Sequence, residues 1–223
     1  MTDRDLETTR ESLRSVACYV VAPARKRRTG RIGLRPTGDG FGTPPFDDGS
    51  RILVRGDRLV AEPGRETMLT TLRDAADFVD VVLSADPGVG DDLPPFDPDA
   101  PLDVDVDASL AIGRWYALGA AVLDDVRPEI EARATVTEAQ LWPEHFDLAV
   151  VATLPSGASV NIGFSPGDGF VPGPYVYVGP HDLDGLSGDY WNVPFGAVVR
   201  RSELGADAAR AAREFILRGI DQL

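Results

Sequence analysis

Two stretches of the chain are nearly the same. RIGLRPTGDGFGTPPF begins at Arg31 and NIGFSPGDGFVPGPY begins at Asn161. With one gap at Thr37, eight of fourteen aligned pairs from Ile32 and Ile162 onward are identical. Each copy joins an apolar run to a proline, which ends strand pairing, and to a Gly-Asp-Gly turn followed by an apolar residue. The repeat therefore predicts two related halves, each with its own antiparallel strands.

The first half has alternating helix and strand patterns. Apolar residues at helical spacing predict a helix from Asp3 to Val20 that ends before Pro23. The runs RILVR and DRLVAE flank Gly56-Asp57, which predicts a hairpin. A second helix is predicted from Leu69 to Leu83 because its apolar residues share one face.

An acidic segment follows. Residues 86–108 are proline-rich and carry eight aspartates and no basic residue, which predicts a connector. The D-x-D-x-D string at residues 103–107 alternates with valines, which favours an exposed edge strand. It does not fit a calcium loop of the EF-hand type, because Ala108 and Arg114 stand where that loop needs glycine and glutamate.

The second half returns to the same order of patterns. A third helix is predicted from Leu110 to Val126, capped by Ser109 or Asp107 and closed by Pro128. The runs HFDLAVVATL, SVNIGF, YVYVG and FGAVVR then predict four strands, and a last helix spans residues 206–220.

These patterns predict an α+β fold, with an antiparallel sheet or sheets, packed helices and two pseudo-repeated halves. The first half is residues 1–85, the connector is residues 86–108, and the second half is residues 109–223, all expected to form one compact unit. With 43% hydrophobic residues, the chain can bury a core.

Charge and composition narrow the function classes. The formal net charge of −14 argues against nucleic acid or an anionic membrane as the main partner, because a polyanion repels an acidic surface. No apolar run approaches the roughly 20 residues of a membrane span, and the N-terminus lacks a signal-peptide pattern, so we expect a cytoplasmic protein. The single cysteine, Cys18, allows no disulfide within one chain.

One basic cluster stands out in this acidic chain. Two interpretations remain open: a site for a phosphate or an acidic partner, or a solvated helix end with the basic residues that helix C-termini favour. The cluster consists of Arg25, Lys26, Arg27, Arg28, Arg31 and Arg35.

The candidate catalytic residues are His145 and Asp147. They lie two apart at the start of a predicted strand, which places both on one face. A two-residue hairpin around Ser156-Gly157 would set Asp147 opposite Pro166. His145 is then a general base oriented by Asp147, or a metal ligand among carboxylates. The structural interpretation is a buried His–Asp pair that pins the Gly-Asp-Gly loop.

The same region concentrates aromatic and polar side chains that suit an apolar ligand pocket. No cofactor follows from the sequence, since neither Gly-Asp-Gly loop opens into a helix or carries a Walker lysine. No metal site follows with any specificity. The candidate ligand-binding residues are Trp142, Glu144, Asp168, Tyr175, Tyr177, His181 and Trp191.

The order of three short patterns resembles an uncharacterised bacterial domain-of-unknown-function family whose members are longer. The patterns are G-[KR]-[IV]-x-L at residues 30–34, W-P-x-x-F-D-L-A at residues 142–149, and the series Gly163, Pro166, Gly167, Pro174 and Tyr177. Together they cover most of the chain. The resemblance implies a shared fold and a bacterial origin, and it supplies no catalytic residues.

Two function classes follow. The first is a non-catalytic small-molecule-binding protein, or an accessory protein that binds another protein through its basic cluster or its acidic connector. The second is a small His145- and Asp147-dependent hydrolase or isomerase, with or without a divalent metal. The sequence leaves the ligand and the oligomeric state open.

Overall fold

The computed structural model describes residues 2–223. The chain divides into two compact units. The first comprises the described residues up to Ala117 together with Leu141–Phe146, and the second comprises Leu118–Gln140 and Asp147–Leu223. The division thus falls near residue 117, and the acidic segment 86–108 belongs to the first unit.

The acidic segment lies against helices of its own unit. The backbone N–H groups of Asp103 and Asp105 donate to the hydroxyls of Ser12 and Thr9, at 3.1 and 2.9 Å. The hydroxyl of Tyr19 donates to a carbonyl of the same segment. Residues 103–107 therefore do not form the predicted edge strand, because side chains rather than a neighbouring strand satisfy this backbone.

The first unit begins with one continuous helical stretch. It consists of α1 (Asp3–Val16), a π-helical turn (Ala17–Val21) and α2 (Ala22–Thr29). The predicted end before Pro23 is wrong. In the π turn the N–H of Ala22 reaches the carbonyl of Ala17, five residues back, and Pro23 follows in the first turn of α2, where a missing N–H costs little.

A five-stranded antiparallel meander follows. Its strands, in spatial as in chain order, are β1 (Arg35–Pro36), β2 (Gly40–Gly42), β3 (Arg51–Arg55), β4 (Arg58–Glu62) and β5 (Arg65–Met68). Arg55 pairs with Arg58, which confirms the hairpin at Gly56-Asp57. Helix α3 (Leu72–Phe78) is shorter than predicted, because Thr71 caps its start and Asp80 takes a positive φ of 56° just beyond its end.

Helix α4 (Val106–Glu131) is longer than predicted at both ends. The Asp105 carboxylate accepts the N–H of Ala108 at 2.8 Å, so the cap lies earlier than Ser109 or Asp107. Pro128 lies inside the helix instead of closing it. The flanking residues Val126 and Ile130 are buried, and their packing outweighs the one backbone hydrogen bond that Pro128 removes.

The second sheet is antiparallel. Its strands are β6 (Thr135–Val136), β7 (Gln140–Trp142), β8 (Asp147–Thr153), β9 (Ser159–Ser165), β10 (Tyr175–Pro180) and β11 (Ala197–Arg200). Their spatial order is β11-β10-β9-β8-β6, and β7 also pairs with β8. The four predicted strands are confirmed as β8, β9, β10 and β11, and helix α5 (Ala208–Ile220) follows β11. The fold is therefore α+β with two antiparallel sheets, as the sequence predicts.

The hairpin between β8 and β9 differs by one residue from the prediction. Leu154 and Ala158 close a three-residue loop, because the Leu154 N–H donates to the Ala158 carbonyl. The register pairs Leu148 with Phe164. In this register Asp147 lies opposite Ser165 rather than Pro166, and a one-residue change of register moves a side chain to another neighbour.

The two Gly-Asp-Gly copies join antiparallel neighbours in both sheets. The first turns from β1 to β2 and the second connects β9 to β10. The aligned Gly38 and Gly167 both have positive φ, 86° and 109°. Phe41 of the first copy is buried, whereas Phe170 of the second is 56% exposed. The copies share turn chemistry and differ in packing. None of the helices in residues 2–223 is long and apolar enough to cross a membrane.

Candidate functional site

The two predicted catalytic residues, His145 and Asp147, do not lie on one strand. His145 is exposed in the turn at residues 143–146, whereas β8 begins at Asp147, which is 7% exposed. Phe146 between them has a φ of 50°, so the alternation of a strand does not extend across it. The prediction that His145 and Asp147 share a strand face is wrong, and the general-base interpretation loses its geometric basis.

The other candidates of this turn belong to the first unit. Trp142 ends β7 and is half-buried. Glu144 is also half-buried, and burial raises the pKa of its carboxyl, although His145 and Arg14 act in the opposite direction. The Glu144 backbone carbonyl accepts from Arg14 Nε at 2.8 Å. Among the described residues, the Glu144 Oε2 atom has no hydrogen-bond partner.

In the second unit, tyrosines bond the two candidate aspartates. The Tyr177 hydroxyl donates to Asp147 Oδ2, and the Tyr175 hydroxyl donates to Asp168 Oδ2 at 2.5 Å. Asp168 Oδ1 accepts the backbone N–H groups of Phe170 and Val171 at 2.8 and 2.7 Å. Asp168 and Tyr175 therefore hold the Gly-Asp-Gly loop, the role that the sequence analysis gave to a His–Asp pair.

These hydroxyls serve as hydrogen-bond donors. Burial raises the pKa of Tyr177 well above its usual value, and the Asp147 charge raises it further. Burial and the bond to Asp168 raise the pKa of Tyr175 in the same way. Both tyrosines stay protonated at neutral pH, so the cluster stabilises the sheet end and the loop.

The remaining candidates lie elsewhere in the second unit. His181 is exposed, with Nε2 3.0 Å from the side-chain oxygen of Asn161. Trp191 is half-buried and packs edge-on against Tyr190, with ring centres 4.8 Å apart. Within residues 2–223, no three or more His, Cys, Asp and Glu side chains form a group that could hold a metal ion.

A different site emerges in the first unit. A cleft of about 240 Å³ lies between α2, the strands β3 to β5 and the segment after α3. Four arginines line it: Arg27 and Arg28 from α2, Arg51 from the start of β3, and Arg65 from the start of β5. Two of them, Arg27 and Arg28, belong to the basic cluster and lie exposed in the last turn of α2.

Two of these arginines bond neutral acceptors. Arg27 Nη1 donates to the backbone carbonyl of Asp80. Arg65 Nη2 donates to the backbone carbonyl of Phe78 at 3.4 Å, and its guanidinium carbon lies 4.9 Å from the centre of the Phe78 ring. Among the described residues, neither guanidinium forms an ion pair with a carboxylate. A neutral carbonyl does not neutralise a guanidinium group, so both exposed side chains keep their positive charge.

The other two arginines are paired. Arg28 Nη2 lies 2.7 Å from Asp48 Oδ2 and Nη1 lies 3.0 Å from the Ser50 hydroxyl. Hydrogen bonds from Ser50 and then from Arg28 lower the pKa of Asp48 to about 2. Arg51 Nε donates to Glu62 Oε2 at 2.8 Å. These pairs fix one wall of the cleft while leaving further guanidinium N–H groups available.

The other members of the basic cluster do not line the cleft. Lys26 Nζ donates to the carbonyl of Gly88 at 2.7 Å. Arg25 is buried, and its Nη1 atom has no hydrogen-bond partner among the described residues. Burial, together with the charges of Arg35 and Arg31, lowers the pKa of Arg25. The cluster thus concentrates positive charge in the first unit of a chain whose net charge is −14.

Sequence reasoning missed Arg51 and Arg65, which are far from the cluster along the chain. A usable signal was present, because each is the first residue of its strand in a meander. β3 and β5 both run antiparallel to β4. The first residues of β3 and β5 therefore lie at the same end of the sheet, and the arginines at these two positions line the same cleft.

No protein-family model, curated protein or solved structure matches the chain. The resemblance to a bacterial family of unknown function stays a prediction.

Proposed function

We propose that this protein is a non-catalytic binding protein for a small anionic molecule, and that the arginine-lined cleft is its binding site. The observation that carries the proposal is the pair Arg27 and Arg65. Both side chains line one cleft of about 240 Å³, and both guanidinium groups bond backbone carbonyls rather than carboxylates.

The physical argument is electrostatic. A guanidinium has five N–H donors in a planar fork, and Arg27 and Arg65 each use one of them in a bond to a carbonyl. An anion that accepts the remaining donors would gain charge-assisted hydrogen bonds, which are stronger than neutral ones. The side chains are already oriented, so binding loses less conformational entropy than it would with mobile arginines.

The test is calorimetric titration of the protein, at low ionic strength and pH 8, with phosphate, sulfate and succinate. At least one of these anions should bind, and Arg27→Gln and Arg65→Gln should each weaken that binding by about tenfold, or ~1.4 kcal/mol. Arg210→Gln is the matched control, because Arg210 is highly exposed in the second unit and pairs with Glu214.

Arg27→Lys and Arg65→Lys keep the charge and remove the fork, and circular dichroism of every variant checks that the fold is retained. Binding of none of the three anions by the parent protein would refute the proposal. So would an equal loss of affinity in Arg210→Gln.

A further inference from the structure

The arginine-lined cleft also contains an aspartate, Asp80. We propose, resting on the anion-binding function above, that Asp80 is a specificity-determining residue, which weakens the binding of doubly charged anions more than that of singly charged ones. The ligand class that the cleft favours is then a singly charged anion, such as a simple carboxylate. The pairing of the acidic residues, the charge balance of the lining and the backbone at Asp80 support this.

The two acidic residues that line the cleft differ in their pairing. Glu62 Oε2 accepts from Arg51 Nε at 2.8 Å, and Glu62 Oε1 lies 3.4 Å from Arg55 Nη2. Asp80 is exposed, and within residues 2–223 no hydrogen bond or ion pair holds its carboxylate. The charge of Glu62 is therefore compensated by the protein itself, whereas the charge of Asp80 acts on whatever binds in the cleft.

The charge balance of the lining leaves one surplus positive charge. Arg28 and Arg51 are each paired with a carboxylate. Arg27 and Arg65 bond neutral carbonyls, so their two positive charges stand against the one negative charge of Asp80. A singly charged anion compensates this surplus, whereas the second charge of a dianion is repelled by the Asp80 carboxylate.

The backbone holds Asp80 next to one of these arginines. Its carbonyl accepts from Arg27 Nη1, so the aspartate and a guanidinium that lacks a carboxylate partner are direct neighbours. Asp80 has a φ of 56°, and the N–H of the following Val81 donates to the Ala76 carbonyl at 2.9 Å. Aspartate and asparagine adopt this left-handed conformation more readily than other residues with a side chain. Asparagine therefore suits the same turn and removes only the charge.

The electrostatic effect of Asp80 on a ligand is proportional to the charge of that ligand. Two unit charges about 6 Å apart in water interact with a Coulomb energy that corresponds to about threefold in affinity. Removing the Asp80 charge should therefore strengthen the binding of a singly charged anion about threefold. For a doubly charged anion of similar shape the factor is squared, to about tenfold. The ratio of the two changes thus measures how the cleft discriminates between ligand charges.

The experiment compares methyl sulfate with sulfate, which share a tetrahedral sulfur centre and carry one and two negative charges. Calorimetric titration of the full chain at low ionic strength and pH 8 measures both affinities. Asp80→Asn should strengthen methyl sulfate binding about threefold and sulfate binding about tenfold. Asp77→Asn is the matched control, because Asp77 is exposed in the last turn of α3, carries the same charge and does not line the cleft. It should change both affinities by less than about twofold.

Each other outcome overturns the role of Asp80. Equal changes for the two anions in Asp80→Asn, or no change, would show that this residue does not discriminate between ligand charges. Changes of the same size in Asp77→Asn would show that the overall charge of the chain acts instead. In these cases the cleft still binds anions, and the anion-binding function stands. If neither anion binds the parent protein, the role of Asp80 falls, and the titrations with phosphate and succinate decide whether the anion-binding function falls as well.

Discussion

Replacement of Tyr177 by phenylalanine tests the central polar contact of the second unit. The Tyr177 hydroxyl donates to Asp147, a carboxyl group that is 7% exposed at the start of β8. Hydrogen bonds to charged groups contribute about 1.5–3 kcal/mol, and the larger values apply when the remaining partner is buried. We therefore expect Tyr177→Phe to lower the free energy of unfolding by about 2–3 kcal/mol.

Tyr175→Phe is the matched comparison. It also removes one hydroxyl that donates to an aspartate, but Asp168 is only half-buried, so water can replace the lost bond more readily than at the buried Asp147. Its expected cost is therefore smaller, about 1 kcal/mol. Urea unfolding followed by circular dichroism measures the free energy of unfolding of both variants. An unchanged m-value, the slope of that free energy with urea concentration, shows that the surface exposed on unfolding is the same and that only the stability has changed.

A double-mutant cycle attributes the loss to the Tyr177–Asp147 pair. With Asp147→Asn as the second change, the coupling energy should be at least about 0.5 kcal/mol, as for residues in contact. The reasoning is refuted if Tyr177→Phe costs less than Tyr175→Phe, or if the cycle shows no coupling.

Two further predictions concern packing and pH. Gly119→Ala would place a Cβ 2.7 Å from Phe164 Cγ. The overpacking should cost about 1–3 kcal/mol, more than the roughly 1 kcal/mol that alanine gains in helix propensity, so the melting temperature should fall. An unchanged melting temperature would contradict this. Burial raises the pKa of Glu144, so the folded state penalises its charge above that pKa and loses the penalty as the pH falls through it. Glu144→Gln should therefore raise the urea midpoint at pH 7 and leave it nearly unchanged near pH 4, and a lower midpoint at pH 7 would show that attraction to Arg14 dominates.

The strands were the part of the fold that local patterns predicted best. Short apolar runs such as RILVR and DRLVAE predict the strands, and Gly56-Asp57 supplies the turn between them. The structure places β3, β4 and β8 to β11 where those patterns lie. Helix ends are harder to predict, because a proline pattern indicates a stop at Pro23 and at Pro128. A π turn and buried neighbours keep the helices intact at those prolines.

The sequence by itself determined the α+β class, the Gly56-Asp57 hairpin and the local excess of positive charge at Arg25–Arg35. These features depend on residue period, turn chemistry and composition, which are local. The tertiary structure decided that Asp147 bonds Tyr177 and that Arg51 and Arg65 join Arg27 at one cleft. Such contacts depend on strand register and on how distant elements pack. The positive φ of Phe146 takes His145 out of strand β8, and the one-residue difference in the β8–β9 loop gives Asp147 a different neighbour from the predicted one.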